Sequence, residues 1–95
     1  MSQTLGSRSS KFLQWINYRV RVDIQERRYL VGTLIAFDKH MNLVLKDCEE
    51  FRTVKIPKAK QAEVGRKDRD IKRMLGLVIL RGENIVTVSA VAPPG

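Results

Sequence analysis

The chain's only histidine, His40, lies in the stretch FDKHMNLVL from Phe37 to Leu45, where Asp38 to Asn42 break two apolar runs. An imidazole, a carboxylate and an amide within five residues could serve acid–base chemistry, hold a metal, or grip a flat polar ligand without covalent chemistry. A protein-only zinc site needs about four ligands, and one histidine with one cysteine, Cys48, falls short. Acid–base or nucleophilic catalysis needs a second motif to complete a reaction centre. The chain has no nucleophile motif and no phosphate-binding glycine-rich loop, so an enzyme is the weakest reading and no cofactor is expected. A lone histidine at a hairpin tip is by itself most often a solvated turn residue. A second polar break, Arg81-Gly82-Glu83-Asn84, follows the apolar run LGLVIL.

The balance of charge narrows the ligand. The net charge of +8 on 95 residues points to an anionic partner, most often nucleic acid. Between Arg52 and Arg73 there are nine Lys or Arg residues against three acids. Lys58 to Lys72, basic and poor in aromatic residues, is expected to contribute charge rather than sequence reading. No apolar run approaches the roughly 20 residues of a membrane helix, and the N-terminus lacks the apolar core of a secretion signal. An intracellular protein without membrane contact is therefore expected. Cys48 cannot form an internal disulfide and reads as a small buried hydrophobe.

The elements that must position these breaks follow from periodicity. Residues 1–8 read as a flexible N-terminus. Ser9 to Asn17 spaces Phe12, Leu13 and Ile16 on one helical face, with Ser9 or Ser10 as N-cap and Asn17 ending the helix in a left-handed conformation. From Tyr18 to Ile24 the period becomes two, the mark of a half-buried strand. Gln25 to Arg28 is a turn without the glycine of tight hairpins. Tyr29 to Phe37 is a second strand, bent at Gly32. Leu43 to Ile56 is a third, long strand whose apolar positions change parity, which requires a bulge or strong coiling. The two pair as a curved hairpin with the His40 stretch at its tip. Pro57 ends the third strand and a basic loop follows. Met74 to Leu80, with an internal Gly76, is a fourth strand, a tight turn surrounds Gly82, and Ile85 to Val91 is a fifth. The expected fold is mainly β: a short N-terminal helix, then five antiparallel strands in a meander, bent into a half-open barrel like that of SH3 domains. The helix is expected to cover one open end. The fourth and fifth strands, apolar and nearly free of charge, are the expected edges, and such edges invite pairing with other chains.

GTLIAFDKHMNLVL followed by LGLVILRGENIV resembles the two-part signature of the Sm and Sm-like proteins, over about Ser10 to Val91. SSKFLQWINYRVRV, AFDKHMNLVL and the terminal APPG most resemble the B-type subunits. The family's first hairpin usually carries a glycine turn, where this chain has Gln25 to Arg28. The resemblance implies an Sm domain over residues 9–92, with a proline-rich tail starting at 93–95. It implies a seven-membered ring of different Sm subunits, D-type neighbours on both sides, assembled on the uridine-rich single-stranded site of small nuclear RNAs. The complex would be the core of the spliceosomal ribonucleoproteins, nuclear with a cytoplasmic assembly stage.

The resemblance also assigns roles. His40 would stack on a nucleobase, a contact worth about 1–3 kcal/mol. The Asn42 amide, both donor and acceptor, would read the edge of uracil. Asp38 would fix the loop or orient Asn42. The planar guanidinium of Arg81 would close the other side of the base, and Gly82 would let the backbone turn tightly beside it. Met41 reads as packing rather than a base contact. The competing readings are an Sm-like subunit in messenger RNA decay and a basic ribosomal-type barrel held by phosphate contacts.

Overall fold

The computed structural model describes residues 12–94. Five strands, β1 (Arg19–Ile24), β2 (Arg28–Phe37), β3 (Leu43–Lys55), β4 (Asp68–Leu80) and β5 (Ile85–Ala92), form one antiparallel sheet in the order β4-β3-β2-β1-β5. β4 and β5 are therefore the two open edges, as the apolar composition of their sequences implied. The strands do not form a simple meander: β5 crosses to pair with β1, in a register running from Arg19↔Ala92 to Ile24↔Ile85. The Thr87 hydroxyl fastens this pairing by donating to Asp23 Oδ2 at 2.6 Å, and this bond leads the causes holding the Asp23 carboxyl below its ordinary range.

Alternation on β1 places Val20 and Val22 inside, where they meet Leu30, Leu34, Leu43, Leu45 and Cys48. The bending has local causes. The β2–β3 register breaks between Val31 and Thr33. A Cβ on Gly32 would lie 3.0 Å from the Leu45 Cβ and 3.2 Å from the Cys48 Cβ, so only glycine lets β3 press this close. The parity change in β3 is a bulge, with Asp47 at φ 51° and the β3–β4 register shifted on either side of Cys48. Opposite it, Gly76 takes φ 83°, a backbone conformation that glycine adopts freely.

The N-terminal helix is helical over residues 12–14; the expected N-cap serines and the flexible 1–8 segment lie outside the described residues. Phe12 is buried and packs against Phe37 and Trp15. Asn17, at φ 71°, donates its backbone N–H to the Leu34 carbonyl at 2.7 Å, ending the helix and docking it on β2. In the first turn both Glu26 and Arg27 have positive φ, 66° and 58°, although neither is glycine.

Two expectations around the basic segment are corrected. It is not a loop throughout: Lys58–Val64 is a helix closed by Gly65 at φ 72°, and the Gln61 side chain donates to the Ile56 carbonyl at 2.9 Å. β4 also starts at Asp68, six residues before Met74, because Asp68 to Arg73 pair with Lys55 to Glu50. β3 and β4 thus run beyond the barrel as a two-stranded arm, and the molecule measures 52 Å along its longest axis.

Candidate nucleic-acid interface

The polar breaks sit at one end of the sheet, where the β2–β3 tip meets the β4–β5 connection. Asp38 organises the tip. Its Oδ1 accepts the backbone N–H groups of His40 at 2.8 Å and Asn42 at 3.0 Å, and its Oδ2 accepts the Asn42 side-chain N–H at 2.9 Å. The Asn42 amide, then the Asn42 backbone N–H, hold the Asp38 carboxyl below its ordinary range, against a smaller opposing effect of desolvation. Met41 bridges the tip in a left-handed conformation, φ 65°, and its side chain packs on the core cluster.

The other half of the Asn42 amide crosses to the second break. Asn42 Oδ1 accepts the Gly82 backbone N–H at 2.8 Å, across 40 residues of chain. A backbone N–H can only donate and a carboxylate can only accept, so Gly82 and Asp38 together fix which end of the amide is which. Among the described residues the second Nδ2 hydrogen and the second Oδ1 lone pair have no hydrogen-bond partner, and the two bonds already made fix their direction.

Gly82 is required for a reason the sequence did not reveal. Its φ is ordinary, but a Cβ there would fall on the His40 carbonyl oxygen and lie 3.1 Å from the Met41 carbonyl carbon and oxygen. The constraint is close approach of two backbones rather than turn conformation. After Gly82 the chain makes one 3₁₀ turn, Gly82–Asn84, and enters β5.

Arg81 is exposed and lies 3.6 Å from Glu83 Oε1, a surface contact worth little. With Ala36, Phe37, Asp38, Asn42 and Val44 it lines a cleft of about 330 Å³. His40 is exposed on the same tip but is not among the residues lining this cleft. The structure thus brings Asp38, Asn42, Arg81 and Gly82 into one constellation, with His40 beside it. Among the described residues no group of three His, Cys, Asp or Glu side chains could hold a metal, and no helix is long and apolar enough to cross a membrane.

A five-stranded half-open barrel with two bare edges, its two signature motifs tied by an amide bridge, defines an Sm-type domain. The LSM domain family model matches residues 10–90, and the chain belongs to that family. Within it, the chain is similar to the small nuclear ribonucleoprotein-associated protein B of Dictyostelium discoideum, 51% identical over 92% of this chain and 29% of that protein. It is 45% identical to the probable protein B of Caenorhabditis elegans, over 93% of this chain and 52% of that protein. The chain spans about half or less of the length of these two relatives. Of solved structures, a heptameric archaeal Sm protein superposes with a TM-score of 0.60 at 29% identity, over 86% of this chain and 97% of that one. The P. aerophilum SmAP1 heptamer gives 0.62 at 28% identity, over 90% and 93%.

Proposed function

We propose that this chain is a non-catalytic, RNA-binding core subunit of a seven-membered Sm ring that assembles on the uridine-rich site of spliceosomal small nuclear RNAs and acts in pre-mRNA splicing. The observation that carries the reading is the Asp38–Asn42–Gly82 network, which holds a partly unsatisfied amide rigidly beside a cleft. Uracil presents an N–H between two carbonyls, and the free Oδ1 lone pair and Nδ2 hydrogen of Asn42 complement that edge. His40 and Arg81 supply flat, exposed groups for the two faces of the base.

Ring membership is supported by the edges. Leu77 and Ile79 on β4 and Val86 and Val91 on β5 are more than half exposed, and among the described residues both strands lack a strand partner on one side. Pairing β4 of one subunit with β5 of the next removes both edges, and head-to-tail repetition closes a ring. The similar solved proteins are heptamers, and the B relatives are named as ribonucleoprotein-associated. The neighbours are D-type subunits on both sides, and the working compartment is the nucleus after a cytoplasmic assembly stage.

The test is reconstitution with D-type subunits and a uridine-rich oligonucleotide. The His40→Ala/Asn42→Ala/Arg81→Ala variant should join the ring yet bind that RNA more weakly, the loss being partial because other subunits hold other bases. Unchanged affinity of a correctly assembled variant ring would refute the assignment.

A further inference from the structure

The arm formed by the ends of β3 and β4 carries charge that the base-binding tip does not use. Lys55, Lys58, Lys60, Arg66, Lys67 and Arg69 are all exposed, and among the described residues none lies within salt-bridge distance of a carboxylate. The nearby acids are engaged elsewhere. Asp68 pairs with Arg27 at 3.2 Å, and Asp70 accepts from the Thr53 hydroxyl at 2.9 Å. Glu63 is the one acid on the Lys58–Val64 helix. The end is also shaped rather than loose, since its helix is capped by Gly65 and tied back by Gln61.

Position decides what these cations can touch. β3 leaves the Asp38–Asn42 tip at Leu43 and reaches the basic end at Lys55, the last of its 13 residues. At about 3.3 Å per residue the two ends of this hairpin are separated by up to roughly 40 Å. Even shortened by the β3 bulge, that length exceeds the span of a single nucleotide held at the tip. No aromatic residue lies between Arg52 and Arg73, so this end lacks the stacking platform by which single strands are held. Clustered cations without stacking groups suit a dense, regular array of phosphates, which a double helix presents.

We propose that the basic end of the β3–β4 arm binds the phosphate backbone of double-helical RNA flanking the single-stranded site. The inference rests on the RNA-binding reading above and extends it: one hairpin would hold a base at one end and a stem at the other, and so set the distance between them.

The test uses the assembled ring, with the full chain either unaltered or carrying Lys58→Gln, Lys60→Gln, Arg66→Gln and Lys67→Gln. These are surface changes that leave the barrel intact. Two RNAs are compared, a uridine-rich single strand and the same strand abutting a hairpin stem, with affinity measured against salt. For the stem-bearing RNA the slope of log affinity against log salt should become shallower, by about 0.9 for each phosphate the variant no longer neutralises and so by up to about 3.6. On the bare single strand the variant should match the parent. Separating stem and site by a long unpaired linker should abolish the difference. Equal weakening on both RNAs would place the arm on the single strand, and no change on either would show that the arm is not an RNA surface; both overturn the proposal. The underlying reading fails separately, if the parent ring shows no preference for uridine over cytidine in the bare strand.

Discussion

Gly82→Ala isolates the contact between the two signature motifs. The added methyl would occupy the position of the His40 carbonyl oxygen and crowd the Met41 carbonyl, so one backbone must move. Moving it breaks the Gly82 N–H to Asn42 Oδ1 bond, which costs about 0.5–1.5 kcal/mol for a hydrogen bond of this kind. Forcing a methyl into packed backbone costs about 1–3 kcal/mol more. The expected destabilisation is about 2–4 kcal/mol, against a total near 5–15 kcal/mol for a small domain. Gly65→Ala is the control: its φ of 72° is unfavourable for alanine, but a Cβ there meets nothing, so about 1 kcal/mol is expected. Urea unfolding followed by circular dichroism, with the association state matched by sedimentation, measures both. Asn42→Ala breaks the same hydrogen bond, so Asn42→Ala/Gly82→Ala should cost less than the sum of the single changes, by about 1 kcal/mol. A Gly82→Ala protein within about 0.5 kcal/mol of the parent, or strict additivity, would refute the bridge as the link between the motifs.

The Asp38 carboxyl is depressed below 3.8 by the bonds it accepts. The stability it contributes is therefore present above the ordinary carboxylate pKa and is lost as pH falls through the lowered folded value. The His40 and Asn42 backbone amide resonances should titrate with a midpoint below 3.8, and a midpoint at or above it would contradict the network. Cys48 is wholly buried and its thiol is pushed up to about 11 by desolvation, so alkylation at pH 8 should follow global unfolding, and rapid labelling of the folded chain would count against this. Glu26→Asn should stabilise by about 0.5–1 kcal/mol, because asparagine tolerates the positive φ of 66° that glutamate endures here; a loss of stability in urea unfolding would show the turn to be unstrained. The isolated chain should self-associate or need a D-type partner for solubility, and a clean monomer at tens of micromolar in sedimentation that ignored such a partner would argue against ring membership.

Local signals in the sequence carried further than long-range ones. The alternation of β1, the left-handed stop at Asn17 and the parity break in β3 were legible because each is imposed by neighbours within a few residues. The pairing of β5 with β1 was not, since nothing in Ile85 to Ala92 distinguishes β1 from β4 as a partner. The true start of β4 was hidden because Asp68 to Asp70 lie opposite Thr53 to Lys55, beyond the end of β2, and Asp68 to Arg73 are mostly charged and exposed, so no apolar alternation marks them. The Lys58–Val64 helix was masked by its own charge, although lysine, alanine and glutamine favour helix. At the site, Asp38, Asn42, His40, Arg81 and Gly82 could be singled out from the motifs. The crossed bond from Gly82 to Asn42, and the approach of the His40 carbonyl that excludes a side chain, depend on backbones 40 residues apart.

The crossing of β5 also dictates when the fold can close. β1 pairs with β2 across a short turn, but its other side is paired by β5, with Arg19 meeting Ala92. On a growing chain, β1 to β4 can assemble as successive hairpins while the outer side of β1 stays bare until β5 has been made. Contacts so distant in sequence form slowly, and an uncovered strand edge with apolar neighbours is prone to aggregate in the interval. In the proposed ring, the step that buries this edge is also the step that would position β5 to receive a neighbouring subunit. In that ring the chain would therefore gain its second partner-ready edge, β5, only once β1 is covered, whereas the β4 edge is available as soon as β3 and β4 have paired.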